Sequence, residues 1–147
     1  MNNFYKLRIS QLLVLFVVLL SPSFNNANEL LIFADSISYD KDDNIIAKGN
    51  AKIFQNNKFI TSELIIYNQK DKKIVLPSKF VFKDDKDNFI EGENGFFTNN
   101  LNIAEFENPK IKLNDGSRLI GNKIKREGHI DIISKGVYSP CESRIKV

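Results

Sequence analysis

From Ile45 to Phe54 the chain alternates. Ile45, Ala47, Gly49, Ala51 and Ile53 fall on one parity and Asn44, Lys48, Asn50 and Lys52 on the other, with Ile46 and Phe54 as exceptions on the polar side. A period of two puts each set on one face of a strand. The pattern recurs as Ile74, Leu76, Ser78, Phe80 and Phe82 against Val75, Pro77, Lys79, Val81 and Lys83. Pro77 has no N–H for a ladder, so this strand is either an edge or interrupted there. Leu101 and Ile103 share a parity with Ile111 and Leu113 but not with Phe106. A bulge between residues 105 and 109 would restore the register by adding one residue. Ile130, Ile132, Ser134, Gly136 and Tyr138 form the last such run. The stretches between runs (DKDDN, NQKDK, KDDKDN, TNN, NDG and REG) are rich in Asn, Asp and Gly, which tolerate tight-turn backbone angles. No segment of ten or more residues beyond residue 27 has an apolar period near 3.6, so the expected fold class is all-β.

These runs are imperfect copies of one another. Residues 34–54, 61–82, 92–113 and 119–141 each hold a short strand, a polar turn and an alternating strand. Tyr39 and Tyr67 are 28 positions apart, and Tyr67 and Phe97 are 30 apart. A hairpin cannot bury its apolar face alone, so repeats of this length stack. A closed barrel or a sandwich would also satisfy the strand pattern, but the repeat favours a folded-over, twisted solenoid of two facing sheets.

The first residues break the pattern. Lys6 and Arg8 precede LLVLFVVLL, and a polar segment ending in the small residue Ala27 follows. The nine-residue apolar run falls short of the roughly 20 residues that span a bilayer as a helix, so a secretory signal peptide over 1–27 is expected. An uncleaved membrane anchor is the alternative. A β-domain over 28–141 and a short polar tail over 142–147 complete the organisation. Loss of Lys6 and Arg8 with the leader lowers the formal net charge from +3 by two, to +1. The remaining charges alternate along strands or gather at turns. They make no basic stripe able to neutralise successive phosphates, which argues against nucleic acid as a partner.

Candidate chemistry is sparse. His129 is the only histidine and has no local thiol or serine nucleophile beside it, so no hydrolytic triad can be built. Asp40, Asp42 and Asn44 copy the opening of a calcium loop, but Ile45 stands where Gly is required and Ala51 where a bidentate Glu belongs. Asp84, Asp85 and Asp87 form a similar group, and both groups read as solvated hairpin tips. Glu91 and Glu93 share a strand face, but with no Trp in the chain nothing marks a sugar-holding cleft. An enzyme is therefore not expected, nor a metal or other cofactor. Cys141 is the only cysteine. In an oxidising compartment a lone thiol is either a partner for another chain or incidental.

The segments ADSISYD and IIAKGNAKIF, behind a signal-like leader, resemble the OstA-like domain of the lipopolysaccharide-transport proteins LptA, LptC and LptD. The resemblance spans residues 33–141. It implies a β-jellyroll, a twisted V of two sheets whose apolar inside carries lipopolysaccharide acyl chains through the periplasm to the outer membrane. The trough residues would then be Ile37, Tyr39, Ile45, Ala47, Gly49, Ala51, Ile53, Ile74, Leu76, Phe80 and Phe82. Ala47, Gly49 and Ala51 would either leave room for an acyl chain or let two sheets pack closely. The ending GVYSPC is most similar to the periplasmic domain of LptD-type members, which would make Cys141 a disulfide partner of cysteines in a following barrel. A free-standing LptA-like bridge is the alternative. Implied partners are lipopolysaccharide, other OstA-like proteins joined head to tail by β-augmentation, and components of the outer-membrane translocon. A β-adaptor that joins partners without holding lipid is the competing reading.

Overall fold

The structure is a computed structural model describing residues 29–98, 100–128 and 130–140. The expected leader, His129, Cys141 and the tail lie outside the described residues. Twelve strands follow one another: β1 Leu31–Phe33, β2 Ser36–Tyr39, β3 Ile45–Gln55, β4 Lys58–Asn68, β5 Lys73–Leu76, β6 Phe80–Lys83, β7 Phe89–Thr98, β8 Ile103–Lys112, β9 Arg118–Ile120, β10 Lys123–Glu127, β11 Ile130–Ser134 and β12 Val137–Ser139. Every pairing is antiparallel.

The ladder divides into two layers because the long strands bend. In the first layer β1, the second half of β3, the first half of β4, β6, the first half of β7, the second half of β8, β9 and β12 pair in that order. In the second layer the order is β2, the first half of β3, the second half of β4, β5, the second half of β7, the first half of β8, β10 and β11. The chain thus coils between two facing sheets, as expected of a folded-over stack.

The bends are written in the sequence. Register shifts occur between Lys48 and Ala51, and on β7 on both sides of Glu93. Gly49, Asn50, Asn94 and Asn108 have φ of 74°, 46°, 49° and 50° there. Such bulges turn a strand and raise its twist. On β8 the extra residue falls between Glu107 and Lys110, where the parity of Phe106 and Ile111 required one. Pro77 interrupts its strand, separating β5 from β6, and both pieces pair on both sides. Side chains tie the bends across strands: the Asn50 amide donates to Asp35 (2.9 Å), Asn108 to Glu93 (2.5 Å) and Asn94 to Glu107 (3.2 Å). The Ser62 hydroxyl donates to the Lys79 carbonyl at 2.9 Å.

The inward faces close on one another. Ala47, Ala51, Ile53, Ile60, Ile65, Ile74, Leu76, Phe82, Ile90, Phe97, Phe106 and Ile124 form a continuous core. Burying each large aliphatic or aromatic side chain is worth about 1.5–3 kcal/mol. Phe80 meets Phe97 and Phe106 edge-on, with ring centroids 5.7 and 5.0 Å apart. Such T-shaped pairs add to the burial energy. Two sequence parities are corrected. Ile103 points outward while Ala104 and Phe106 point in, because Leu101 belongs to the turn and not to the strand. Ile130 and Ile132 also face out, opposite Glu127 and Lys125, while Ile133 faces in opposite Ile124.

Candidate functional site

Opposed residues of an antiparallel pair share a face, so pairing shows where each candidate points. Ala47, Ala51, Ile53, Ile74, Leu76, Phe80 and Phe82 all lie buried between the two sheets. Ile45 is half-buried at the start of the same row. Ile37 pairs with Ala47 and Tyr39 with Ile45, so both lie on the inward face, but on the edge strand β2 they are 50% and 66% exposed. Gly49 sits at the bend, its left-handed backbone against Asp35, whose N–H donates to its carbonyl at 2.9 Å. A Cβ there would strike the Asp35 carboxylate. Its smallness serves the corner and not the trough wall.

The core row is filled by its own side chains, and free interior space lies toward the side opposite the bends. A cavity of about 490 Å³ opens at the β9–β12 end. Its lining is mixed: Ile90, Ile111, Leu119, Ile133 and Tyr138 give an apolar side, the last two on opposite layers, and Lys58, Asp84, Asp85, Lys86, Asn88 and Asn102 give a polar and charged one. Arg126 also lines it, with its guanidinium 5.4 Å from the Phe82 ring centroid and paired to both carboxylate oxygens of Asp131 at 2.6 and 2.7 Å. The forked pair turns an inward arginine into a neutral group at the mouth. A second cavity of about 390 Å³ is lined by Leu30, Gln55, Tyr67, Ile74, Thr98, Asn100 and Leu101 among others. Leu101 lines both cavities.

Along the bends runs a separate groove of about 800 Å³. Its lining holds Lys52, Lys79 and Lys110 together with Glu63, Glu91 and Glu93, so it presents no single sign to a charged ligand.

The acidic turns are structural. Asp40 Oδ1 accepts the backbone N–H groups of Asp42 and Asn44 at 2.8 and 2.9 Å, and Oδ2 accepts the Asn44 amide at 2.7 Å. Asp84 makes the same three bonds with Lys86 and Asn88. Among the described residues no cluster of His, Cys, Asp and Glu could hold a metal ion. No helix of the described residues is long and apolar enough to cross a membrane.

Sequence patterning missed Leu101, Ile133, Tyr138 and the Arg126–Asp131 pair. Parity across a turn or bend is not carried over, and each of these follows one. A Leu inside an Asn-rich turn, TNNLN, was the one visible signal.

No protein-family model matches the chain, and no curated protein is similar to it in sequence. Among solved structures it is similar to LptH of Pseudomonas aeruginosa, the LptA-homologous periplasmic component of the lipopolysaccharide transport device. The TM-score is 0.61 at 14% identity, over 72% of this chain and 82% of that one. The two share a fold. That fold is an antiparallel β-jellyroll.

Proposed function

We propose that the chain is a non-enzymatic periplasmic lipid conduit that passes lipopolysaccharide between neighbouring jellyrolls on the way to the outer membrane. The observation that carries this reading is the pair of facing apolar sheets open at an end, where Ile133 and Tyr138 from opposite layers line one cavity. The likeness to LptH supports lipopolysaccharide as the cargo and the periplasm as the compartment, and the signal-like leader expected over 1–27 agrees with export. Acyl chains suit the apolar side of that cavity, since each buried CH₂ contributes about 0.8 kcal/mol without a directional bond, so a chain is held and still slides, while the charged side suits a polar headgroup. The row from Ile45 through Ala47, Ala51, Ile53, Ile74, Leu76, Phe80 and Phe82 is the wall it would follow as the sheets part. Ile37 and Tyr39 would continue that wall onto the next domain. A role as an LptD-type periplasmic domain, with Cys141 in a disulfide to a barrel, stands beside an LptA-like bridge within this proposal.

Adjacent residues test the reading. A photo-crosslinking amino acid in place of Tyr138, inside the mouth, is expected to capture lipopolysaccharide, whereas the same group at Val137, outside it, is not. Equal capture at both positions would sink the conduit, and capture at neither would favour the lipid-free adaptor.

A further inference from the structure

Between the paired residues Thr98 and Ile103 the chain turns with Asn100 and Leu101 both left-handed, at φ 57° and 63°. Asn accepts that conformation readily, while Leu does not, because its Cβ crowds the following carbonyl. Elsewhere among the described residues such positions hold Asn, Asp or Lys, as at Asn56, Asp87 and Lys72 with φ 49°, 62° and 51°, and Leu101 is the one apolar side chain among them. Leu101 is nevertheless kept, and its side chain is 1% exposed, packed into the core. A bulky residue held where the backbone disfavours it points to a job for the side chain.

Its position shows the job. Among the described residues Leu101 alone lines both the 490 Å³ and the 390 Å³ cavities. It therefore stands as a partition across the interior, on the side where the two layers are not joined by bent strands. Around it, the tips of two hairpins from opposite layers clasp. Gln55, at the end of β3, donates to Asn100 at 3.2 Å, and Lys58, at the start of β4, donates to Asn102 at 2.8 Å. Gly128 N–H donates to the Asn102 carbonyl at 2.8 Å and joins the next turn to the clasp.

We propose that residues 100–102 form a latch with Leu101 as its plug: closed, it divides the interior into two short cavities, and released, it joins them into one continuous slot for an acyl chain. The left-handed backbone works against the burial of the plug and offsets part of what its core packing contributes, so closure can be reversed by a ligand that fills the same space. The latch rests on the conduit reading and adds the point at which passage of a lipid tail through it is controlled.

The test follows the loading of a dansyl-labelled fatty acid into the purified chain by stopped-flow fluorescence. Leu101→Gly removes the plug and relieves the turn. Lys58→Met removes one clasp bond and keeps the apolar stem. Lys58→Met is expected to load roughly fivefold faster, as loss of one hydrogen bond implies, and Leu101→Gly faster still. Ile65→Val, a core change that lines neither cavity, should leave the rate as it was. Unchanged rates in the folded latch variants, or equal acceleration by Ile65→Val, would overturn the latch while leaving the conduit standing. If Leu101→Gly does not fold, Lys58→Met decides alone. Absence of probe binding by every form of the protein would overturn the conduit and the latch together.

Discussion

Single side chains here do most of their work at turns. Asp40 and Asp115 show it: the Asn44 amide, then the backbone N–H of Asn44, hold the Asp40 carboxyl below its ordinary range, and the Ser117 hydroxyl, then its N–H, do so for Asp115. Their folded pKa values lie under the unfolded ones. Their contribution is therefore complete above the unfolded value of about 3.9 and disappears as pH falls through the folded value. The melting temperature of Asp40→Asn/Asp115→Asn is expected to sit below that of the native chain by a constant gap at neutral pH, a gap that closes in acid. A gap unchanged far into acid would show that the charge plays no part. The same residues explain what the sequence made legible. D-x-D-x-N was correctly a hairpin tip, because its later positions could not close a cation loop, and the repeated bonds of Asp84 were implied by the repeated letters. Leu101 was misassigned to a strand because alternation assumes extended backbone, and two successive left-handed residues break that assumption.

For whole strands, the alternating pattern carried the inward faces of β5 and β6 and of β3 apart from Gly49 at its bend, and failed where a turn or bend reversed parity, at Leu101 to Ile103 and between Gly121 and Gly136. The bends themselves were half legible. Asn, Gly and Pro mark them, but similar residues also mark hairpin turns, and only pairing tells a corner within a strand from a turn between strands. The close packing at these corners leads to a prediction. A Cβ on Gly92 would collide with the rings of Phe106 and Phe80, and Gly92 lies in the buried floor of the bend groove. Gly92→Ala is expected to lower stability by about 1–3 kcal/mol, the usual cost of overpacking, read as a lower urea midpoint at unchanged slope. A midpoint equal to that of the native chain would mean that β7 shifts freely, and that the aromatic cluster of Phe80, Phe97 and Phe106 is looser than its ring distances indicate.

The molecule as a whole has two unfinished ends. Among the described residues β1 and β2 pair only with β3 at one end, while β11 pairs only with β10 and β12 only with β9 at the other. Both ends carry exposed apolar side chains: Leu31, Phe33, Ile37 and Tyr39 at the first, Ile130, Ile132, Val137 and Tyr138 at the second. An open strand edge with apolar side chains is a template for another strand, and natural proteins usually guard it with charge. Here the second end has Lys123, Lys125 and Glu127 one strand in, but its outermost strand places Ile130 and Ile132 opposite Glu127 and Lys125. Both ends thus leave edges open to another strand, and joining the first end of one copy to the second end of another would line Ile37 and Tyr39 up behind Ile133 and set β1 beside Tyr138. Sedimentation at rising concentration is expected to show reversible association of the native chain. A lysine at Ile132, on the outer face of that edge, should weaken it by roughly tenfold or more through desolvation of the charge, and Ile37→Lys should do the same from the other end. Loss of association from one end alone would mean that copies meet through like ends, and the interior would then be closed at the joint instead of continued across it.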